Sequence, residues 1–357
     1  MTLILSNKDV EELLTMRECI DALEVAYVEL AAGRGLARTR SDCLTPTTRP
    51  DAHYSLKSMD GVIPKFGISA IRIDSDIITM PKVGNSIRRV KVPAAPNDRY
   101  VGLVLLFSTE NGEPLAIMPD GVMQRIRVGA TSGLGVKYLA RRDAESIGLL
   151  GSGWQAGTQL MAACAVRDIQ SIRCFSPRRE RREAFCKEMS IVLNIEVTPV
   201  DQPETAIAGT DIVMCATNSE DAVFFESWVR PGMHLSSIKK PEVDPAAIKR
   251  ADRVIIHARD NRPIVELSTD LPEAVTAAEG KRWPGADDRA FKFPTLPDLI
   301  AGKIKGRERA EDVTCFLNYL GLGYQFAAAG SVVYRKARER GMGHELPTDW
   351  FTEDVHP

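Results

Sequence analysis

Between residues 8 and 33 apolar side chains recur at helical spacing: Val10, Leu13, Leu14, Cys19, Ile20, Leu23, Val25, Ala26 and Leu30, followed by Gly33 and Gly35. Such spacing places them on one face of a helix and glycine is a common stop, so the pattern predicts one long amphipathic helix opening the fold. From about 54 to 118 the period changes. Short β-like runs, among them FGISAIRI, YVGLVLLF and PLAIM, are separated by Pro, Gly and Asn, and STENGEP sets an Asn-Gly pair between two of them as a hairpin would. After Asp120 a helical stretch over 123–141 leads into SIGLLGSGWQAGTQLMAACAV, which reads strand, glycine turn, helix. Next come a strand in SIRCFSP, a charged helix (RRERREAFCKEM), a strand near IEVTPV, an acidic helix (PETAIAG) and strands in DIVMCAT, HLSSI and RVIIHA. Alternation of this kind builds an open parallel sheet covered by helices on both faces. Residues 260–310 are mixed and Pro-rich, and 312–341 again reads as helix.

The 357 residues are 44% hydrophobic and 26% charged, which allows a sizeable core and two domains and sets aside disorder, collagen and disulfide-knotted miniproteins. Lys and Arg number 46 against 48 Asp and Glu, a net charge of -2, so no global positive field exists to hold nucleic acid or a membrane surface. Any partner must be recognised locally. The seven cysteines, Cys19, Cys43, Cys164, Cys174, Cys186, Cys215 and Cys315, are odd in number and contain no CxxC, which suggests neither a disulfide framework nor a zinc ribbon and fits a reducing cytoplasm. No uninterrupted apolar run reaches the roughly 18 residues of a membrane span, and the N-terminal segment soon turns charged, so a soluble, unsecreted protein is expected. His53, His234, His257, His344 and His356 do not cluster at metal-ligand spacing, and no metal is expected. Neither a G-x-S-x-G elbow nor a Walker loop is present to support hydrolase or phosphotransferase chemistry.

Gly151, Gly153 and Ala156 form G-x-G-x-x-A between the apolar strand IGLL and a helical run. Gly151 permits the tight turn, Gly153 lets a pyrophosphate approach the backbone at the helix N-terminus, and Ala156 allows close packing of helix on strand. A bare glycine triplet also occurs in ordinary βα turns; the strand before it and the helix after it are the context that points to a dinucleotide. Gly151, Ser152, Gly153, Trp154, Gln155 and Ala156 are therefore cofactor candidates. The second strand ends Cys174-Phe175-Ser176-Pro177-Arg178-Arg179, where an NAD-selective site usually carries an acid. No acid is present. Ser176 can hydrogen-bond a 2′-phosphate and Arg178 and Arg179 can neutralise it, so NADP(H) is preferred over NAD(H), although the same residues also read as a solvated helix start. Ala216, Thr217 and Asn218 end a later strand, and Ser237 and Ile238 end the next, which places them along the same cleft.

With the glycine turn in mid-chain, RVGATSGLGVKYLA before it, DIVMCATNS and PGMHLSSI after it, and the tail LGLGYQFAAAGSVVYRKA, the chain resembles the ornithine cyclodeaminase/mu-crystallin family from about residue 10 to residue 345. The resemblance implies an α/β protein: a Rossmann NAD(P)-binding domain plus a two-layer α/β substrate-binding and dimerisation domain, with the active site between them. The limits it suggests are 1–126 and 313–357 for the substrate-binding unit and 127–312 for the Rossmann unit. It further implies a homodimer and hydride transfer between nicotinamide and a carbon bearing an amine or imine beside a carboxylate.

Arg127, in RVGATS, matches the family arginine that grips the substrate carboxylate, and Arg40, in ARTRSD, matches a second arginine of the anion site. The family's catalytic lysine falls at Arg72, which can hold an anion but cannot serve as an acid/base catalyst. Lys57, on the preceding strand, is then the candidate proton donor, with an ordinary exposed lysine as the plainer reading. Asp74 and Asp76 share a strand face with Arg72 and could pair with it or close a strand-end turn. The cyclodeaminases carry an aspartate in a Gly-Gly-Asp stretch beyond the segment corresponding to HLSSI; this chain has Lys239-Lys240-Pro241-Glu242 and no such aspartate. The reading is an NADP-preferring reductase of an α-imino acid C=N bond, or the reverse amino-acid dehydrogenase, with three arginines hinting at an anion-rich substrate. A cyclodeaminase and a catalytically silent NADPH-binding protein are the other two readings.

Overall fold

The computed structural model describes residues 1–83, 86–87, 89–259, 264–282 and 292–355. His356 and two parts of the Pro-rich stretch, 260–263 and 283–291, lie outside the described residues.

Among the described residues, one ten-stranded and one seven-stranded sheet organise the chain. The first runs in the order Ile264–Leu267, Ser41–Pro46, Ala52–Ile63, Ile68–Thr79, Val101–Ser108, Pro114–Pro119, Thr2–Ile4 and His344–Leu346, with two further short strands branching from it. Val101–Ser108 and Pro114–Pro119 pair antiparallel across the STENGEP turn, the hairpin read from Asn-Gly. Burial alternates along the two long central strands. At one end of the inner face Ile63, Ile68, Ala70 and Leu106 pack under the helix Tyr324–Arg340. At the other end the same face carries Ser55, Lys57, Arg72, Asp74 and Asp76, all buried.

The seven-stranded sheet is wholly parallel, ordered Val197–Pro199, Ser171–Phe175, Ser146–Leu150, Ile212–Cys215, His234–Ser237, Thr314–Leu317 and Arg253–Ile256. Ile147, Leu149, Ile212 and Met214 pack toward the helices Trp154–Val166 and Arg179–Leu193, while Val213, Leu235 and Cys315 pack on the opposite face with Ala206 and Ala247. Covered on both sides, it has the doubly wound form expected. The helix Gly121–Leu139 joins the two sheets. It approaches so closely that a Cβ at Gly129 would lie 2.5 Å from the Thr158 carbonyl oxygen and one at Gly135 2.4 Å from the Phe316 ring.

Three expectations are corrected. The opening helix is two, Asn7–Leu13 and Met16–Ala31, because Thr15 and Glu18 form a capping box that starts a new helix. Within 312–341, Thr314–Leu317 is a strand and the helix begins only at Tyr324; four residues buried on both faces carry no period that would distinguish strand from helix. The domain limits also shift. Thr314–Leu317 is inserted into the seven-stranded sheet, Ile264–Leu267 pairs in parallel with Ser41–Pro46 of the other sheet, and Gly121–Leu139 crosses the limit set at 126.

Candidate active site

The glycine turn rests on close backbone contact. Gly151 has φ +119°, and a Cβ there would lie 2.2 Å from the Ala216 carbonyl oxygen, so glycine is required both for the conformation and for the approach of the two loops. The Gly151 N–H donates to the Phe175 carbonyl at 2.8 Å and the Ala216 N–H to the Leu150 carbonyl at 2.9 Å. Gly153 instead faces open space, with nothing within 4 Å of an added Cβ, and it precedes the helix Trp154–Val166, whose N-terminus no side chain caps. The first amides and the positive end of the helix dipole are thus offered to an anion. These features fit a dinucleotide pyrophosphate. Gly151 and Ala156 are buried, Ser152 and Gln155 half-buried, and Trp154 exposed, with the Arg125 guanidinium 5.3 Å above its indole ring.

At the end of the second strand Ser176 is half-buried, whereas Arg178 and Arg179 are exposed. Arg179 pairs with Glu183 at 2.7 Å, one helical turn on, and Arg178 is the residue before the helix Arg179–Leu193. Arg182, which sequence reasoning passed over, is buried, pairs with Asp201 and donates to the Ser176 carbonyl at 2.7 Å, fixing the Ser176 backbone. Ala216, Thr217 and Asn218 follow one strand, Ser237 and Ile238 stand at the end of the adjacent parallel one, and Ala216 and Thr217 lie against the glycine turn. Glu242 and Asp244, the first acids after the strand His234–Ser237, each have partners of their own. Glu242 is buried and accepts hydrogen bonds from Thr217, Ser237, Ile238 and Lys239. Asp244 caps the short helix Pro245–Lys249 by accepting from the Ala246 N–H at 2.9 Å.

The other half of the site is the polar end of the first sheet. Lys57 is buried and donates to Asp76; burial first, and then the charge of Lys91, lower its pKa to about 8. Asp74 and Asp76 share a face with Arg72, as the strand period required. Lys91 reaches both, 3.1 Å from Asp74 and 2.9 Å from Asp76. Arg72 is clasped by two carboxylates, Asp74 at 2.5 Å and Asp120 at 2.6 Å. Arg40 is clasped by both oxygens of Asp42, at 2.6 and 2.7 Å.

Arg127 differs. It is buried, and its partners are uncharged: the Gln124 amide oxygen accepts from Nε at 3.2 Å and Nη2 at 2.6 Å, and the Gln325 oxygen accepts from Nη1 at 2.7 Å. Burial, and then Arg72, depress its pKa, yet a guanidinium remains charged at neutral pH. Arg127 and Arg72 lie 5.2 and 5.6 Å from the centroid of the same Phe326 ring. Behind Gln325 a buried chain continues through Thr131 and Tyr27 to His257, with Gln325 Nε2 to Thr131 Oγ1 at 2.5 Å, Tyr27 to Thr131 at 3.1 Å and Tyr27 to His257 at 2.7 Å. His234 is buried and bonds Thr314 at 2.9 Å, a packing role rather than a ligand's.

Asp120, Gln124, Gln325 and Lys91 were not found from sequence. Gln124 had a local signal, since it stands one helical turn before Arg127. Gly102 was a signal for Asp120: a Cβ there would lie 2.2 Å from an Asp120 carboxylate oxygen. Gln325 lies 198 residues from Arg127, and no local pattern could join them. Among the described residues no group of three or more His, Cys, Asp and Glu could hold a metal ion, and no helix is long and apolar enough to cross a membrane.

Comparison with known proteins returns one family over residues 1–341, the Ornithine cyclodeaminase/mu-crystallin family. An uncharacterized cyclodeaminase of Sinorhizobium fredii is 28% identical over 321 residues, covering 87% of this chain and 90% of the relative. The Thermococcus litoralis Delta(1)-pyrroline-2-carboxylate reductase, solved with NADH and L-proline, is 26% identical with TM-score 0.75, covering 97% of this chain and all of that one. An archaeal alanine dehydrogenase dimer with bound NAD is 25% identical with TM-score 0.74, covering 97% of this chain and 99% of that one.

Proposed function

Because the chain belongs to the ornithine cyclodeaminase/mu-crystallin family, we propose that it is an NAD(P)-dependent oxidoreductase that reduces the C=N bond of an α-imino acid, or runs the reverse dehydrogenation. The observation that carries this reading is Arg127, a buried guanidinium whose hydrogen-bond partners among the described residues are the amide oxygens of Gln124 and Gln325. A cation kept from water with no carboxylate in direct contact is costly, and a substrate carboxylate that completes it recovers that cost through a bidentate pair. The similarity to a Delta(1)-pyrroline-2-carboxylate reductase solved with NADH and L-proline supports the assignment.

Nicotinamide, when bound, supplies or accepts the hydride; the chain's residues do the rest. Arg127 holds the carboxylate and so sets the α-carbon in place. Arg40 and Arg72, expected to share that role, are already neutralised by Asp42 and by Asp74 with Asp120, so in this proposal they fix the walls of the site instead. Lys57 delivers the proton to the reduced nitrogen, with Asp76 orienting its ammonium. Ser176, Arg178 and Arg179 favour NADP(H), which requires Arg179 to divide its charge between Glu183 and a 2′-phosphate. We further propose a cytoplasmic homodimer, formed through the outer face of the ten-stranded sheet, where Leu56, Ile71, Val101 and Leu103 are exposed.

The test is oxidation of NADPH and of NADH with Δ1-pyrroline-2-carboxylate, iminosuccinate, and pyruvate with ammonia or methylamine. Turnover with a higher kcat/KM for NADPH is expected. Silence across the panel overturns the oxidoreductase reading, and release of ammonia and proline from ornithine without net NADH establishes the lyase in its place.

A further inference from the structure

We infer that Glu242 is a positioning residue for the nicotinamide end of the dinucleotide, through the two loops it ties to one carboxylate; this rests on the cofactor assignment above. Its side chain is completely buried. One oxygen accepts from the Thr217 N–H and from Thr217 Oγ1 at 2.8 Å. The other accepts from Ser237 Oγ at 2.8 Å, the Ile238 N–H at 3.2 Å and the Lys239 N–H at 3.1 Å. The Glu242 carbonyl adds bonds from the Val223 and Phe224 N–H groups at 2.8 and 3.1 Å, which fold the intervening chain back onto the same place.

The donors come from the ends of two adjacent parallel strands, Ile212–Cys215 and His234–Ser237, and the Lys239 ammonium adds a second, more exposed tie between the same loops, donating to the Ser219 carbonyl at 2.7 Å and to Glu220 at 2.6 Å. A carboxylate suits the task because every partner is a donor and both oxygens accept. An amide would turn its own NH2 toward an N–H or hydroxyl. The clamp also reaches the glycine turn, because Thr217 follows Ala216, whose carbonyl oxygen would be 2.2 Å from a Cβ at Gly151. Glu242 therefore sets the gap between the glycine turn and the loop after His234–Ser237. In open parallel sheets ligands bind beyond the strands' carboxyl ends at such a point. The glycine turn and Ser176 serve the pyrophosphate and adenosine, so a change at Glu242 acts on the remaining part of the dinucleotide.

The experiment measures dissociation constants of wild-type protein and E242Q for NADPH and for 2′-phospho-ADP-ribose, which lacks nicotinamide, by protein fluorescence. Amide exchange is followed in parallel. Losing one charge-assisted hydrogen bond and opposing two donors predicts at least about tenfold weaker NADPH binding in E242Q, with less than about a twofold change for the fragment. Exchange at Ile238 and Lys239 should rise while that of Ser146–Leu150 stays constant. Ser237→Ala and Thr217→Val, which each remove one donor, keep the test open should E242Q fail to fold, and each should weaken NADPH selectively. Equal losses for both ligands, or unchanged NADPH affinity in the variants, overturn the inference. If wild-type protein binds neither NADPH nor NADH, the cofactor assignment itself falls and this inference with it.

Discussion

The buried charges of the site differ in what surrounds them, and that difference separates their roles. Arg72 and Arg40 are compensated by carboxylates, whereas the hydrogen-bond partners of Arg127 among the described residues are amides. Arg127→Met should raise the imino-acid KM by roughly 30- to 4000-fold, the equivalent of about 2–5 kcal/mol for a broken buried ion pair. The same variant should leave NADPH affinity intact and should not lower Tm, because it removes a buried cation that no carboxylate among the described residues pairs with directly. Steady-state kinetics and thermal unfolding together check both halves. Lys57 offers a pH signature. With its folded pKa near 8, the ammonium that donates the proton is lost as pH rises, so reduction should decline above about pH 8. In Lys57→Met that limb should disappear and kcat should fall by about 10² to 10⁴. The stability effect has the opposite sign: between about pH 8 and 10 the unfolded chain binds more protons at this residue than the folded one, so its contribution to stability rises with pH.

At the scale of elements, the glycine turn shows how backbone shape creates a binding site. Gly151→Ala must fit a methyl group 2.2 Å from a carbonyl oxygen at φ +119°. Such strain costs about 1–3 kcal/mol and pushes the Ala216 loop away, so a drop in Tm and at least about tenfold weaker NADPH binding are expected in a fluorescence titration. At Gly153, where the added Cβ meets nothing, alanine should disturb the fold far less and affect only the ligand's approach. The break between the two opening helices is a similarly local device. Thr15→Ala removes the cap shared with Glu18 and should destabilise the protein by about 1 kcal/mol, measured by denaturant unfolding.

For the whole molecule, the ten-stranded sheet is covered on one face and apolar on the other, where Ile71 and Leu103 remain more than a third exposed. An uncovered sheet face of this kind is a natural interface. Light scattering should give the mass of a dimer for the wild type, and Leu103→Lys or Ile71→Asp should shift it toward the monomer. A monomeric wild type across micromolar concentrations would remove the dimer from the proposal.

Local physics made much of this legible beforehand. The glycine turn, the doubly wound sheet, the hairpin at Asn-Gly and the common face of Arg72, Asp74 and Asp76 follow from periodicity and from the conformational freedom of single residues, which act over a few neighbours along the chain; that Lys57 joins this face came from the pairing of its strand with theirs. Arg127, Arg40 and Arg72 were found as residues, but their electrostatic states were not. Whether an arginine is already satisfied depends on Asp120, Gln124, Gln325 or Asp42, and two of those pairs are drawn from segments 48 and 198 residues apart. The placement of Thr314–Leu317 within the second sheet and of Ile264–Leu267 within the first likewise depended on which strand edge each could reach. Sequence determined most elements and the chemical types, because these are set by short-range sterics and solvation; only the tertiary structure decided which buried charge has a carboxylate in direct contact, because such pairing requires partners brought together by the fold.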